Sequence, residues 1–225
     1  MAYEQQQAQV IEQSQAGIGE IIARNKVLRQ TYALLAANIL FSAICSFVGM
    51  KMGIGQIPVL VHVVGFVGLS WLVARNATSG LGIVFLFALT GFMGFALSNV
   101  MSMFISAGAG ETVVKALFGT AVIFAGLSAY VLISGKNFSF LGGFLFCGVI
   151  ILFLAAIAAL FLHMPALNLA ISVACLFIFS GYVLYDTSDI IHGEETNYII
   201  ATLRLFVDIY NIFVSLLHIL AALRD

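Results

Sequence analysis

Seven long apolar stretches, joined by short polar connections, constrain this chain more than any other feature of its sequence. A helix needs about 20 apolar residues to span the hydrocarbon core of a bilayer. The connections are only four to six residues long, which leaves no room for a soluble domain between helices. We therefore predict an all-α integral membrane protein with seven transmembrane helices, at residues 29–50, 57–75, 81–104, 112–134, 139–162, 167–190 and 198–223.

Composition supports the same class. The chain has 225 residues, of which 62% are hydrophobic and only 8% are charged. Soluble domains carry about 25% charged residues, so a lipid bilayer is the expected environment. The net charge is −1 and no basic patch is present, so we expect no nucleic-acid partner. The sequence also lacks a nucleophile elbow, a phosphate-binding glycine loop and a zinc-protease motif, and we do not expect an enzyme.

The N-terminal segment differs from the rest of the chain. Residues 1–28 are polar and rich in glutamine, which predicts a cytoplasmic polar tail ahead of a single seven-helix transmembrane domain at 29–225. Lys and Arg accumulate on the cytoplasmic ends of membrane helices. A cytoplasmic N-terminus places five of them inside, at Arg24, Lys26, Arg29, Arg75 and Lys136, and three outside, at Lys51, Lys115 and Arg224. The C-terminus is then expected on the outer side.

Two carboxylates lie where lipid-facing helices do not tolerate them. Asp186 is near the end of the sixth stretch, and Asp208 is well inside the seventh. A bare charge at the bilayer centre costs roughly 2.5–3.5 kcal/mol, so such residues turn inward and find partners. Two carboxylates that meet in a low dielectric share a proton, which predicts a pH-sensing pair. Once that proton leaves, the oxygens suit a hard cation such as Ca²⁺.

The polar residues of the last two stretches follow helical spacing. In the seventh they recur at steps of 4, 3, 4 and 3, at Arg204, Asp208, Asn211, Ser215 and His218. A shorter series in the sixth comprises Tyr182, Tyr185, Asp186 and Asp189. A helix with one polar face and apolar residues elsewhere turns that face toward protein or water, so we predict a central seventh helix. Asn211, His218, Arg204 and Asp189 are accessory candidates, and Arg75 could neutralise the remaining charge.

Other interpretations of these residues stay open. Arg204 and Asp208 are four residues apart and could form a buried ion pair that only stabilises packing. Asp189, Glu194 and Glu195 could be solvated loop carboxylates. The predicted ends also place Asp186 and Asp208 at depths that differ by about 9 Å, which is awkward for direct contact.

Five segments carry a family resemblance: KVLRQTYALL, SFLGG, PALNLAIS, GYVLYDTSDIIHGEETNYI and LFVDIYNIFVSLLHIL. The chain resembles the Bax inhibitor-1 (TMBIM) family from about residue 26 to the C-terminus, and is most similar to its bacterial YccA-like branch. The resemblance implies seven transmembrane helices with six around the last one. It also implies a di-aspartyl pair, Asp186 and Asp208, with Arg75 as basic partner, which governs a pH-dependent calcium leak in some members.

The same resemblance implies a location and a partner. YccA-like proteins are multi-pass proteins of the bacterial inner membrane, with the N-terminus cytoplasmic and the C-terminus periplasmic. They are clients and modulators of the membrane-bound FtsH protease, which uses the N-terminal tail as a handle. Two functions therefore stay open: modulation of FtsH in membrane-protein quality control, and a pH-dependent Ca²⁺ leak. Apart from Ca²⁺, no cofactor is expected.

Overall fold

Helices account for all the regular secondary structure that the computed structural model describes. It covers residues 2–53, 57–162 and 164–224, with side chains from Lys26 onward. The α-helices are α1 (Ala2–Met52), α2 (Val59–Arg75), α3 (Gly80–Ser106), α4 (Gly110–Ser134), α5 (Gly142–Leu162), α6 (Pro165–His192) and α7 (Tyr198–Ala222), and a 3₁₀ turn at Ser139–Leu141 precedes α5. Each predicted stretch lies in one of these helices, with ends that differ by a few residues except at the start of α1.

Six of the helices are long and apolar enough to cross a membrane. The exception is α2, whose 17 residues lie at the lower end of the spanning range. The chain is thus an all-helical, multi-pass membrane protein. A seventh span through α2 stays a prediction.

The first helix includes the predicted tail. α1 runs from Ala2 to Met52, and its apolar part is Lys26–Met52. The boundary predicted at residue 28 therefore lies within one continuous helix. The side chains before Lys26 are outside the described residues, so their environment is not defined.

α7 lies at the centre of the bundle, as predicted. It packs against α1, α2, α3, α4 and α6. The expectation of six surrounding helices is wrong for α5, which packs against α6 and the 3₁₀ turn instead. Leu145 is the one buried side chain of α5, and the rest of that helix presents apolar residues on the outside of the bundle. α6 therefore separates α5 from α7.

Local capping interactions define the junction between α6 and α7. α6 ends at His192 because Gly193 adopts a left-handed conformation with φ of 76°. α7 begins after Asn197, whose side-chain oxygen accepts hydrogen bonds from the N–H groups of Ile199 at 2.9 Å and Ile200 at 3.3 Å. The side-chain amide nitrogen of Asn197 donates a hydrogen bond to the carbonyl oxygen of Ala77 at 2.9 Å. The start of α7 is thereby fixed to the α2–α3 loop.

α1 and α3 approach each other closely at small residues. A Cβ atom added at Gly94 of α3 would collide with the carbonyl oxygen of Ser42 in α1. One turn earlier, Thr90 donates a hydrogen bond at 2.9 Å to the side-chain oxygen of Asn38, and both residues are buried. Small residues and interhelical hydrogen bonds stabilise membrane bundles, where no hydrophobic force acts between helices.

Candidate functional site

The structure brings Asp186 and Asp208 together where α6 packs against α7. Their carboxyl groups are neighbours in the structure and interact with each other. Both residues are buried, with 4% and 3% of their surface exposed. A carboxylate can only accept hydrogen bonds, so a bond between two carboxyl groups requires that one of them holds a proton. This placement is the geometry that a proton-sharing pair needs.

The distances of Asp186 and Asp208 from the α6–α7 loop explain how the two side chains meet. Asp186 is six residues before the end of α6, and Asp208 is ten residues after the start of α7. At 1.5 Å per residue, they lie about 9 Å and about 15 Å from the loop that joins the two helices. The offset along the helices is thus about 6 Å, smaller than expected from the sequence, because α6 continues to His192.

Arg204 supplies the positive charge next to this pair. One guanidinium nitrogen, NH1, lies 3.7 Å from Asp186 Oδ1 and 3.4 Å from Asp189 Oδ2, and NH2 lies 3.5 Å from Glu195 Oε2. Among the described residues, no ion pair within 4 Å joins Arg204 to Asp208. The interpretation of Arg204 and Asp208 as a simple packing pair is therefore wrong, because the guanidinium is directed toward α6 and the following loop.

Asp189 and Glu195 belong to the site, whereas Glu194 lies outside it. The interpretation of Asp189 as a solvated loop carboxylate is wrong, because it is a residue of α6 with only 4% of its surface exposed. Arg204 NH1 donates a hydrogen bond to its carboxylate at 3.4 Å. Glu195 is half-buried and pairs with Arg204, so it is not solvated as expected either. Glu194 is exposed, as expected.

The acidic site contains oxygen atoms without partners. Within the described residues, Asp208 Oδ2 and Asp189 Oδ1 are buried and have no hydrogen-bond partner. Three carboxyl groups, at Asp186, Asp189 and Glu195, share the guanidinium of Arg204, and Asp208 lies next to Asp186. No group of three or more His, Cys, Asp or Glu side chains in the described ranges is arranged to hold a metal ion.

Arg75 lies at the end of α2 and is exposed. Its guanidinium stacks over the Trp71 ring, 5.1 Å from the ring centroid. Arg204, and not Arg75, is the basic residue in ion-pair contact with Asp186. The sequence associated Arg75 with Asp186 and Asp208, whereas in the structure its guanidinium contacts Trp71.

The remaining polar residues of α7 divide into buried and exposed positions. Ser215 is buried, and Asn211 donates a hydrogen bond at 2.8 Å to the carbonyl oxygen of Val207. His218 is exposed, as is the side chain of Arg204 at 42%. The polar face of α7 is therefore exposed at these two positions, and His218 does not lie with the buried acids.

Sequence comparison connects this architecture to known proteins. The profile of the family described as "Inhibitor of apoptosis-promoting Bax1" matches residues 24–225, which is nearly the whole chain. This chain belongs to that family.

Three bacterial relatives illustrate the similarity to this Bax inhibitor family member. The "Modulator of FtsH protease YccA" of Escherichia coli K12 is 45% identical over 206 residues, which cover 91% of this chain and 94% of that protein. A protein of Vibrio cholerae described as an uncharacterized membrane protein is 41% identical over 89% of this chain and 91% of its own length. An equally similar protein of a second E. coli strain is named "Inner membrane protein YccA". The predicted family is confirmed.

Proposed function

We propose that this Bax inhibitor family member is an inner-membrane modulator of an FtsH-type protease, and that the Asp186–Asp208 pair makes its conformation sensitive to pH. The main support is the 45% identity, along 91% of this chain, to a protein named as an FtsH modulator. That likeness covers 91% of this chain and 94% of the E. coli protein.

The pH-sensing part of the proposal depends on the proton between the two acids. When the proton is removed, two buried carboxylates face each other with one partly exposed guanidinium nearby. Their repulsion favours separation of α6 from α7 at that level. Because α7 also contacts α1, α2, α3 and α4, a shift of α7 would reach most of the bundle.

The proposed topology has seven spans, with the N-terminus in the cytoplasm and the C-terminus in the periplasm. At 1.5 Å per residue, the 17 residues of α2 extend about 26 Å, close to the 30 Å hydrocarbon thickness of a typical bilayer. An odd number of spans places the α2–α3, α4–α5 and α6–α7 loops on one side. Two hydrogen bonds support that placement. Asn197 of the α6–α7 loop bonds to Ala77 of the α2–α3 loop, and Glu194 of the α6–α7 loop bonds to Ser139 of the α4–α5 connection.

Co-purification tests the protease part. The full chain should associate with FtsH and slow the turnover of an FtsH membrane client. Deletion of residues 2–25 should weaken both effects, because the cytoplasmic tail is proposed as the handle for the protease. A control chain with the same 24 residues in shuffled order separates tail sequence from tail length. No association and no change in client turnover with the full chain would end this proposal.

A second candidate function is a pH-dependent cation leak, with Ca²⁺ as the transported ion. The observation that favours it is the excess of carboxyl oxygens over cations at the site, including the buried and unpartnered Asp208 Oδ2. In proteoliposomes with a trapped calcium dye, flux should change with pH, and Asp208→Asn should flatten that dependence because an amide does not titrate. Glu111→Gln, which alters an exposed pair with Lys115, is the matched control. Equal flux from empty and protein-containing liposomes would exclude the leak.

A further inference from the structure

His192 joins the end of α6 to the connection between α4 and α5. It is the last residue of α6, and its side chain is half-buried. One ring nitrogen, Nδ1, lies 2.9 Å from the carbonyl oxygen of Ser188, one turn earlier on α6. The other nitrogen, Nε2, lies 3.2 Å from the carbonyl oxygen of Gly135 in the α4–α5 connection. The imidazole thus bridges the end of α6 to the loop that leads into α5.

Both ring nitrogens face acceptors. A carbonyl oxygen has no hydrogen to donate, so each of these contacts requires an N–H on the ring. A neutral imidazole has one N–H, and its other nitrogen would direct a lone pair at a carbonyl oxygen. Ser188 Oγ, 3.3 Å from Nδ1, could offer a hydrogen to a neutral ring, but the Ser188 carbonyl is the closer neighbour. The doubly protonated imidazolium satisfies both carbonyls at once.

The ring lies among a helix end and charged side chains. His192 is at the C-terminal end of a 28-residue helix, the end at which the helix dipole is negative. Glu194 is in the adjacent α6–α7 loop, and its carboxylate accepts a hydrogen bond from the Ser139 hydroxyl. Of the other charged neighbours, Asp189 is directed to Arg204, and Lys136 places its ammonium 3.2 Å from the Tyr130 hydroxyl.

Two further hydrogen bonds join the α4–α5 connection to the C-terminal end of α6 and the loop that follows it. The N–H of Phe138 donates to Ser188 Oγ at 2.9 Å, and the Ser139 hydroxyl donates to Glu194 Oε1 at 2.7 Å. Ser188 therefore contacts both the His192 ring and the backbone of the α4–α5 connection. The protonation state of His192 can be transmitted to residues 135–139 through these bonds.

We propose that His192 is a proton-dependent tie between the α4–α5 connection and the end of α6, separate from the Asp186–Asp208 pair. Histidine is the side chain that ordinarily changes its charge between pH 5 and 8. In acid, the imidazolium holds Gly135 and Ser188 together. As the pH rises and the ring loses a proton, the remaining N–H stays on Nδ1, toward the closer Ser188 carbonyl, so the bond from Nε2 to Gly135 is lost and residues 135–139 loosen.

Hydrogen–deuterium exchange of the full-length protein in lipid nanodiscs tests this tie. After correction for the intrinsic pH dependence of exchange, amides in residues 136–140 should lose about fivefold in protection between pH 5.5 and pH 8, the loss of one ordinary hydrogen bond. His192→Gln, whose side chain does not titrate, should abolish that change. His62→Gln on α2 and Asp208→Asn should retain it, which separates this tie from the proposed function.

A measurement on the wild-type protein covers the case in which His192→Gln does not fold. In acid, ¹⁵N NMR of histidine-labelled protein should show one histidine with both ring nitrogens protonated and hydrogen-bonded. The proposal is overturned if protection of residues 136–140 is independent of pH in the wild type. It is also overturned if His192→Gln keeps the full pH change.

Discussion

Asp186 of α6 and Asp208 of α7 are neighbouring buried carboxyl groups inside the helix bundle, and Arg204 pairs with Asp186 from the side. A hydrogen bond between two carboxyl groups exists only while one of them is protonated. We therefore expect this contact between the central helix and α6 to be conditional on pH. That condition follows from two side chains and needs no bound ligand.

Replacement of Asp208 by Asn should remove this condition. Loss of the shared proton at rising pH should destabilise the wild-type protein by about 1.5–3 kcal/mol, the value of a hydrogen bond to a charged group. In Asp208→Asn, the amide can donate to the Asp186 carboxylate at every pH, so most of that slope should disappear. Unfolding in detergent micelles at pH 5, 7 and 9 measures the effect. Glu111→Gln should behave like the wild type, and an unchanged slope in Asp208→Asn would refute the prediction.

The two arginines should differ in their effect on stability. Arg204→Gln leaves Asp186, Asp189 and Glu195 without their cation and should destabilise the protein by about 2 kcal/mol, less than a fully buried pair because the guanidinium is partly exposed. Arg75→Gln removes a cation–π contact with Trp71 and should cost about 0.5–1 kcal/mol. Equilibrium unfolding of the two variants in the same micelles makes the comparison. A larger effect at Arg75 would contradict the assignment of Arg204 as the basic partner.

Gly94 tests the close contact between α1 and α3. Gly94→Ala should destabilise the bundle by about 1–3 kcal/mol, because the new methyl group collides with the Ser42 carbonyl oxygen. Gly68→Ala on α2 is the matched control, because a Cβ there meets no atom within 4 Å. It should be neutral or slightly stabilising, since alanine favours a helix. Thermal unfolding of both variants distinguishes a specific contact from a general effect of replacing glycine.

Glu194 provides a pH prediction outside the membrane-spanning helices. The hydrogen bond from the Ser139 hydroxyl is the main reason why the pKa of Glu194 is lowered. A lowered pKa means that the stability from this carboxylate is present above its unfolded-state pKa and is lost as the pH falls through its folded-state pKa. Ser139→Ala should raise the pKa of Glu194, and Ser139→Thr should keep it low. A ¹³C NMR titration of glutamate carboxyl groups measures both, and equal values in the two variants would contradict the assignment.

The helices could be predicted from sequence because their cause is local. Length and apolar composition define a membrane helix, and Pro58 and Pro165 precede or begin helices as their missing N–H group requires. The contact between Asp186 and Asp208 was also predictable, since helical spacing places each acid on a polar face. A short loop then brings the two faces together.

The partner of each charge could not be predicted in the same way. Arg75 and Arg204 are both basic residues near the same end of the bundle, and sequence spacing does not show which one turns toward α6. The Glu195 and Asp189 contacts with Arg204 depend on the end of α6 and on Gly193, which returns the chain toward α7. The position of α5 outside α6 depends on packing between helices distant in sequence.

Carboxyl ¹³C NMR of aspartate-labelled protein in lipid bilayers is the decisive experiment for the proton shared by Asp186 and Asp208. Across a pH titration, we expect a protonated carboxyl signal that belongs jointly to these two residues. That signal should be lost or strongly shifted in either Asp186→Asn or Asp208→Asn, and should be unchanged in Arg75→Gln. Two aspartate signals that titrate independently, each insensitive to removal of the other, would contradict the shared proton.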